Sequence, residues 1–248
     1  MDHLAHCDRL AEEVERFAAA VGGLDPTAPV PSCPEWTAYD LALHLGTVHR
    51  WAEHLVRVRA TERIGASNAV VDPGPPTPEW LREGGARLVS TLRAADPDEA
   101  MWAWGPDQHV RFWSRRQLHE TLVHRIDAEV AGGLPSTADP AVAADAIDEL
   151  LVNLGPAVRF SPGVARLRGE GEQLAVRPND TGERWTITLE PDGFTVAARD
   201  GAPEVTLWGR AADLLCVLYR RRSVEEAHVA VEGNAALAHF WLAHSALE

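Results

Sequence analysis

Residues 120–127 read Glu-Thr-Leu-Val-His-Arg-Ile-Asp, and this stretch predicts a helix with one distinctive polar face. Glu120 and His124 are four residues apart, so on a helix their side chains lie one above the other on the same face. A carboxylate and an imidazole in this arrangement supply half of a metal site. An earlier helix offers His44 as a candidate third ligand. Two histidines and one carboxylate suit a divalent metal that keeps an open coordination position, as catalytic metals do.

The spacing of this pair leaves a plainer interpretation open. The chain has 11 histidines and 37 acidic residues, so Glu–His pairs four apart arise by chance, and an exposed pair is usually a weak surface interaction. The zinc-protease motif His-Glu-x-x-His is excluded because His119 and His124 are five residues apart. On a helix these two side chains diverge by about 140°. The pair that shares a face is therefore Glu120 with His124.

The pattern of apolar residues over the first part of the chain predicts a helical bundle. A first helix runs from about Leu4 to Val21 and is stopped by Gly22-Gly23. Residues 61–78 are rich in glycine and proline and predict a long loop. Four later helices are predicted from the residues that open them, which are Thr37, Thr77, Ser114 in a capping box with Gln117, and Asp139.

Short strands replace the long helices in the remainder of the chain, which predicts a second, smaller domain. We place the boundary so that residues 1–157 form the bundle and residues 158–248 form an α+β domain. The turn signal Pro191-Asp192-Gly193 joins two of its strands. The predicted elements are strands at 185–190, 194–198, 205–208 and 228–232, a helix at 211–219, and a last helix capped by Asn234. The predicted fold class is α+β with two domains.

Composition and charge narrow the kinds of partner that the protein can have. The formal net charge is -14, which argues against nucleic acid or an anionic membrane surface. No apolar stretch approaches the length of a membrane span. The cysteines, Cys7, Cys33 and Cys216, are sparse and form no Cys-x-x-Cys pair, which fits a reducing compartment. We therefore expect a cytoplasmic protein.

Three segments carry motifs that extend over most of the chain. They are residues 33–37 (Cys-Pro-Glu-Trp-Thr) followed by His44, residues 113–116 (Trp-Ser-Arg-Arg) followed by 119–128, and residues 209–215 (Gly-Arg-Ala-Ala-Asp-Leu-Leu) with 231–234 (Val-Glu-Gly-Asn). Together they resemble the mycothiol-dependent maleylpyruvate isomerase family, part of the wider DinB-like metalloenzyme group. The resemblance implies a DinB-like four-helix bundle followed by a domain similar to sterol-carrier folds.

The same resemblance implies a zinc ion, or another divalent metal, bound by His44, Glu120 and His124, with the thiol mycothiol as cosubstrate. A free thiol is mostly protonated at neutral pH, and coordination by zinc deprotonates it. The thiolate would then isomerise or conjugate a small electrophile. The alternatives are a zinc-hydroxide hydrolase or lyase on the same scaffold, and a non-catalytic small-molecule binding protein. Either a monomer or a homodimer is compatible with the sequence.

Several other residues have both a functional and an ordinary interpretation. Asp127 and His119 are candidates for supporting the metal ligands, or are surface residues. Arg222, at the end of a helix, is a candidate for binding a substrate carboxylate, or caps the helix. His49 is predicted to lie at the surface. The tryptophans before the metal helix either wall the pocket or pack in the core; they are Trp102, Trp104 and Trp113.

Overall fold

The computed structural model describes residues 1–69, 74–197, 202–245 and 247. The helices of its first part are α1 (His3–Gly22), α2 (Ala38–Arg57), α3 (Ala66–Ala69), α4 (Pro78–Ala94) and α5 (Val110–Ala131). A short antiparallel hairpin of β1 (Pro29–Val30) and β2 (Cys33–Thr37) precedes α2. Both α1 and α2 pack against both α4 and α5. The four long helices therefore form the bundle expected from the sequence.

Local signals explain where two of these helices begin. Thr37 caps α2 through a capping box with Asp40, whose carboxylate accepts hydrogen bonds from the Thr37 backbone and hydroxyl. Thr77 caps α4, and Pro78 occupies its first turn. The predicted start of α5 was wrong. This helix begins at Val110, and the Ser114 hydroxyl lies inside it and bonds to the Arg111 carbonyl at 3.0 Å.

The helix that carries the Glu–His pair is the most buried of the bundle. Apolar and polar residues of α5 alike are buried along almost its whole length. Arg125 is fully buried and donates hydrogen bonds to Glu13 on α1 at 2.8 Å and to Glu129 at 2.6 Å. A buried charge is tolerated only when it is paired in this way. This cluster ties α5 to α1.

The second part of the chain contains α6 (Pro140–Asn153), α7 (Ala211–Leu218) and α8 (Ala235–His244), with short 3-10 turns at Pro156–Arg159 and Pro162–Arg166. Its sheet has the order β5-β4-β3-β6-β7, in which only β3 and β6 are parallel. The five strands are β3 (Gln173–Pro178), β4 (Trp185–Glu190), β5 (Gly193–Ala197), β6 (Val205–Gly209) and β7 (Ala230–Gly233). The α+β class is confirmed.

The sequence missed β3, the central strand of this sheet. The turn after β4 is present, because Glu190 pairs with Gly193 across it. Of the strand predicted at 194–198, residue 198 lies outside the described residues, as do residues 70–73 of the predicted loop.

Two compact units, Met1–Ser136 and Thr137–Glu248, make up the chain. This division lies before α6, whereas the predicted boundary at residues 157 and 158 lies after it. The reason for the difference is that α6 packs against α7 of the second unit. Periodicity identifies α6 as a helix, but only packing shows which unit it joins. No described helix has the length and apolar character needed to cross a bilayer.

Candidate metal centre

The structure brings His44, Glu120 and His124 together, as the sequence predicted. Their candidate ligand atoms all lie within 4.8 Å of one another. His44 Nε2 is 3.2 Å from Glu120 Oε1, and His124 Nε2 is 3.3 Å from the same oxygen. Glu120 and His124 share a face of α5, and α2 supplies the third residue. Two imidazole nitrogens and a carboxylate oxygen converging at this range form a donor set that suits zinc.

Asp127 fixes the orientation of the His124 ring. His124 Nδ1 lies 2.9 Å from Asp127 Oδ2, and the Ser32 hydroxyl donates to Asp127 Oδ1 at 2.6 Å. Asp127 is completely buried, so the interpretation of it as a surface residue was wrong. Because Asp127 accepts a hydrogen bond from Nδ1–H, Nε2 is the nitrogen directed toward the other two residues. A carboxylate behind a ligating histidine is the usual support of such a ligand.

Charges within the site hold Glu120 ionised. Burial opposes its ionisation, but hydrogen bonds from His124 and His44 and the nearby Arg116 cation keep the pKa of Glu120 well below its usual value. Arg116 Nη2 lies 3.2 Å from Glu120 Oε2. For His124, burial opposes protonation, but Asp127 and Glu120 outweigh it and raise the pKa to about 9. Without a metal, both ring nitrogens of His124 are therefore protonated at neutral pH, and the ring is positively charged.

Trp36 forms an aromatic wall against both histidines. Its ring centroid is 4.7 Å from that of His44 and 5.9 Å from that of His124, with the latter pair stacked. The hairpin that carries Trp36 also carries Ser32, so one short segment contacts two parts of the site. These two contributions, and that of Arg116, were missed by sequence reasoning. The available signal was the position of Trp36 directly before the cap of α2.

His49 was predicted at the surface, and this was wrong because it is only 1% exposed. Its Nε2 is 2.9 Å from the hydroxyl of Thr121, which itself donates to the Gln117 carbonyl at 2.6 Å. The hydroxyl must therefore accept from His49 Nε2–H, and Nδ1 is left unprotonated. Burial lowers the pKa of His49 to about 3, so this ring stays neutral.

The remaining candidates are distributed differently. His119 is fully buried, and its ring packs edge-on against His6 at 6.3 Å. Arg222 lies in the second unit, where its guanidinium is 3.7 Å from the Asp213 carboxylate. Trp113 is completely buried, whereas Trp102 and Trp104 are partly exposed. For Trp113 the packing interpretation therefore fits.

Comparisons with known proteins agree with this architecture. Residues 7–129 match the family model described as the mycothiol maleylpyruvate isomerase N-terminal domain, and residues 141–240 match the model of the corresponding C-terminal domain. A search of curated proteins found no match.

Two crystal structures of a mycothiol-dependent maleylpyruvate isomerase, one of them a mutant, each align over 94% of this chain and 93% of theirs with a TM-score of 0.58. The identities are 14% and 15%, so this likeness establishes the fold alone. A ubiquinone synthesis protein of the SCP2 type aligns with 43% of the chain at 17% identity and a TM-score of 0.33, which carries no argument.

Proposed function

Since the chain belongs to the mycothiol maleylpyruvate isomerase family, we propose that it is a zinc-dependent enzyme that uses mycothiol to isomerise or conjugate a small electrophile. The observation that carries the proposal is the convergence of His44, Glu120 and His124 within 4.8 Å. Their chemistry fits zinc, because two neutral imidazoles and one carboxylate leave room for a further ligand. The hydrogen bond to Asp127 leaves His124 Nε2 available for coordination.

A bound zinc ion would lower the pKa of a coordinated thiol, so that the thiol is present as thiolate at neutral pH. The residues of the chain prepare the site for this role. Asp127 holds the His124 ring in one tautomer and orientation, and Arg116 balances the charge of Glu120. Trp36 packs against the two imidazoles on one side and so restricts the orientations of their rings.

The reaction class follows from the chemistry of a thiolate and a conjugated electrophile. Addition forms a carbon–sulfur bond and converts the double bond into a single bond, which can rotate. In an isomerase the carbon–sulfur bond then breaks, the double bond re-forms with the opposite geometry, and the thiolate is regenerated. In a transferase a proton is taken up at the neighbouring carbon and the thiol stays attached. Neither outcome needs a cysteine nucleophile from the protein.

Metal analysis of the purified protein tests the metal assignment. We expect about one zinc ion per chain, lost in His44→Ala and in His124→Ala. The matched control is His54→Ala, since His54 also lies on α2 but interacts with Arg57, at 3.1 Å, instead of with the site. No bound metal in the intact protein, or equal loss in the control, would overturn the metal assignment.

Thiol use is tested separately, with the cobalt-substituted protein and with turnover. Mycothiol added to the cobalt form should change its visible absorption as sulfur coordinates, and cis-to-trans conversion of maleylpyruvate should require mycothiol. Turnover that proceeds equally well without any thiol would contradict the proposal, and cleavage products in place of an isomer would favour the hydrolase alternative. A stable mycothiol adduct in place of an isomer would select transfer over isomerisation.

A further inference from the structure

A row of partly exposed side chains on α2 leads away from the metal centre. Val48 and Trp51 follow His44 by four and seven residues, so all three lie on one face of the helix. Each is partly exposed. Seven residues correspond to about 10 Å along a helix axis. The row therefore extends from His44 along α2 as a partly exposed strip that carries the apolar side chains of Val48 and Trp51.

A second row on α5 runs beside the first. Trp113 precedes Glu120 by seven residues and so lies on the face of α5 that carries Glu120. The Trp51 and Trp113 rings meet edge-to-face with centroids 5.3 Å apart. Trp102 completes the group, with its ring 6.2 Å from Trp51 and 6.0 Å from Trp113. Contacts of His44 with Glu120 and of Trp51 with Trp113 show that α2 and α5 run antiparallel.

Hydrogen bonds fix two of these indoles in place. Trp51 Nε1 donates to the Ile64 carbonyl at 2.7 Å, and Trp113 Nε1 donates to the Trp102 carbonyl at 3.0 Å. With these N–H groups already bonded, Trp51 offers a ligand the apolar surface of a ring held in one orientation. Flat apolar groups pack well on such surfaces, and little side-chain freedom is lost on binding.

Two buried acceptors lie between the metal centre and the tryptophans. Gln117 lies on α5 between Trp113 and Thr121, both of which contact α2. Within the described part of the chain, Gln117 Oε1 and His49 Nδ1 are buried and have no hydrogen-bond partner. Both atoms therefore mark unsatisfied hydrogen-bonding capacity inside the contact between α2 and α5, which is unfavourable for stability.

We propose that the partly exposed Trp51 and Trp102 form a subsite that binds a flat apolar group of the electrophile, with the buried Trp113 packed against Trp51. The inference rests on the proposed function and names its substrate class. The substrate is an electrophile whose reacting carbon lies at the metal centre and whose aromatic or similarly flat substituent reaches the tryptophans.

Paired substrates test the subsite. N-benzylmaleamic acid and N-methylmaleamic acid share a cis conjugated double bond, a carboxylate and an amide N–H, and differ in the aromatic ring. We expect kcat/KM for mycothiol-dependent isomerisation of the benzyl compound to be about tenfold higher, from the apolar area of one ring. Trp51→Ala and Trp102→Ala should abolish this preference, with the KM for mycothiol unchanged.

The matched control is Trp104→Ala, because the Trp104 ring packs on Phe112 at 5.3 Å. It should keep the tenfold preference. Trp51→Phe keeps an aromatic ring and should keep part of the preference, and thermal unfolding of each variant identifies any that fail to fold. An equal kcat/KM for the two compounds in the wild type would overturn the subsite. The subsite would also be overturned if Trp51→Ala and Trp102→Ala changed only the KM for mycothiol and kept the preference for the benzyl compound.

A binding measurement separates failure of the subsite from failure of the proposed function. N-benzylsuccinamic acid has no double bond and cannot react, so calorimetry reports only its affinity relative to N-methylsuccinamic acid. Trp51-dependent preference for the benzyl compound, with neither isomerisation nor a mycothiol adduct of the maleamic acids, would support the subsite and reject the proposed function. Isomerisation of both maleamic acids without any benzyl preference would support the function and reject the subsite.

Discussion

Replacing Asp127 with asparagine tests how the chain tunes its candidate ligand. Asparagine has the same shape, and its amide oxygen can still accept from His124 Nδ1 while its NH2 group faces the Ser32 oxygen. The hydrogen bond is kept and the charge is removed. Two opposite effects on zinc binding follow. Loss of the carboxylate weakens His124 as a ligand, with an expected cost of about 10- to 100-fold in affinity. Loss of the carboxylate also lowers the pKa of His124, so less free energy is needed to displace its proton and zinc binding is favoured.

The magnitude of proton competition follows from the pKa of His124, which is about 9 in the wild type. Zinc must displace this proton, so at pH 7 the two-unit difference costs about 2.7 kcal/mol, or about 100-fold in affinity. Below the pKa, wild-type affinity should fall about tenfold for each further unit of pH. In Asp127→Asn the loss of a neighbouring charge lowers the pKa by about one unit or more, so the dependence on pH should be shallower.

Zinc affinity is measured by competition with a chromophoric chelator from pH 6 to pH 8.5. We expect Asp127→Asn to bind more weakly than the wild type at pH 8.5, and the difference to shrink as the pH falls. Ser32→Ala is the control, because it keeps the Asp127 charge and should keep the wild-type slope. Parallel slopes for the wild type and Asp127→Asn would refute the assignment of the proton to the His124–Asp127 pair.

Three further predictions concern stability. The pKa of His49 is lowered to about 3 in the folded protein, so below about pH 6.5 His49 takes up a proton on unfolding. Acid should therefore destabilise the wild type more than His49→Gln. The difference in the free energy of unfolding, measured by urea titration, should reach about 5 kcal/mol at pH 3. Gly46→Ala should lower the free energy of unfolding by about 1–3 kcal/mol, because the new Cβ would overlap the Trp80 ring; stabilisation by the added helix propensity would contradict this. Arg125→Met removes the buried guanidinium and leaves Glu13 paired with the partly exposed Arg16, at 3.3 Å, so a loss of about 3 kcal/mol is expected in denaturant unfolding; an unchanged midpoint would show that Arg125 contributes nothing to stability.

The sequence alone was sufficient to predict the bundle helices and the residues that converge. Helix periodicity and caps such as Thr37 are local, because they depend on residues within one or two turns. The pairing of Glu120 with His124 is equally local, since a helix fixes which residues share a face. His44, from a distant part of the chain, was a candidate third ligand that the family resemblance then implied, and the structure places it beside the other two.

Other predictions failed because local patterns compete with tertiary packing. Ser114 has the sequence of a helix cap, yet α5 continues through it. Its hydroxyl donates to the Arg111 carbonyl within the helix and lies 2.8 Å from His3 Nδ1 on α1. His49 has the spacing of a surface residue, but the contact between α2 and α5 buries it. Similarly, α6 is a plain amphipathic helix whose unit is decided by its packing on α7.

The sequence by itself determined the helices, the two-part organisation, and the chemistry of a histidine–carboxylate pair, because each follows from short-range spacing. Only the tertiary structure decided what surrounds that pair. It places Trp36 against both imidazoles, Asp127 behind His124, and Trp51 against Trp113. The physical reason is that a side chain's partners across a helix interface depend on the separation and rotation of whole helices, which no local pattern encodes.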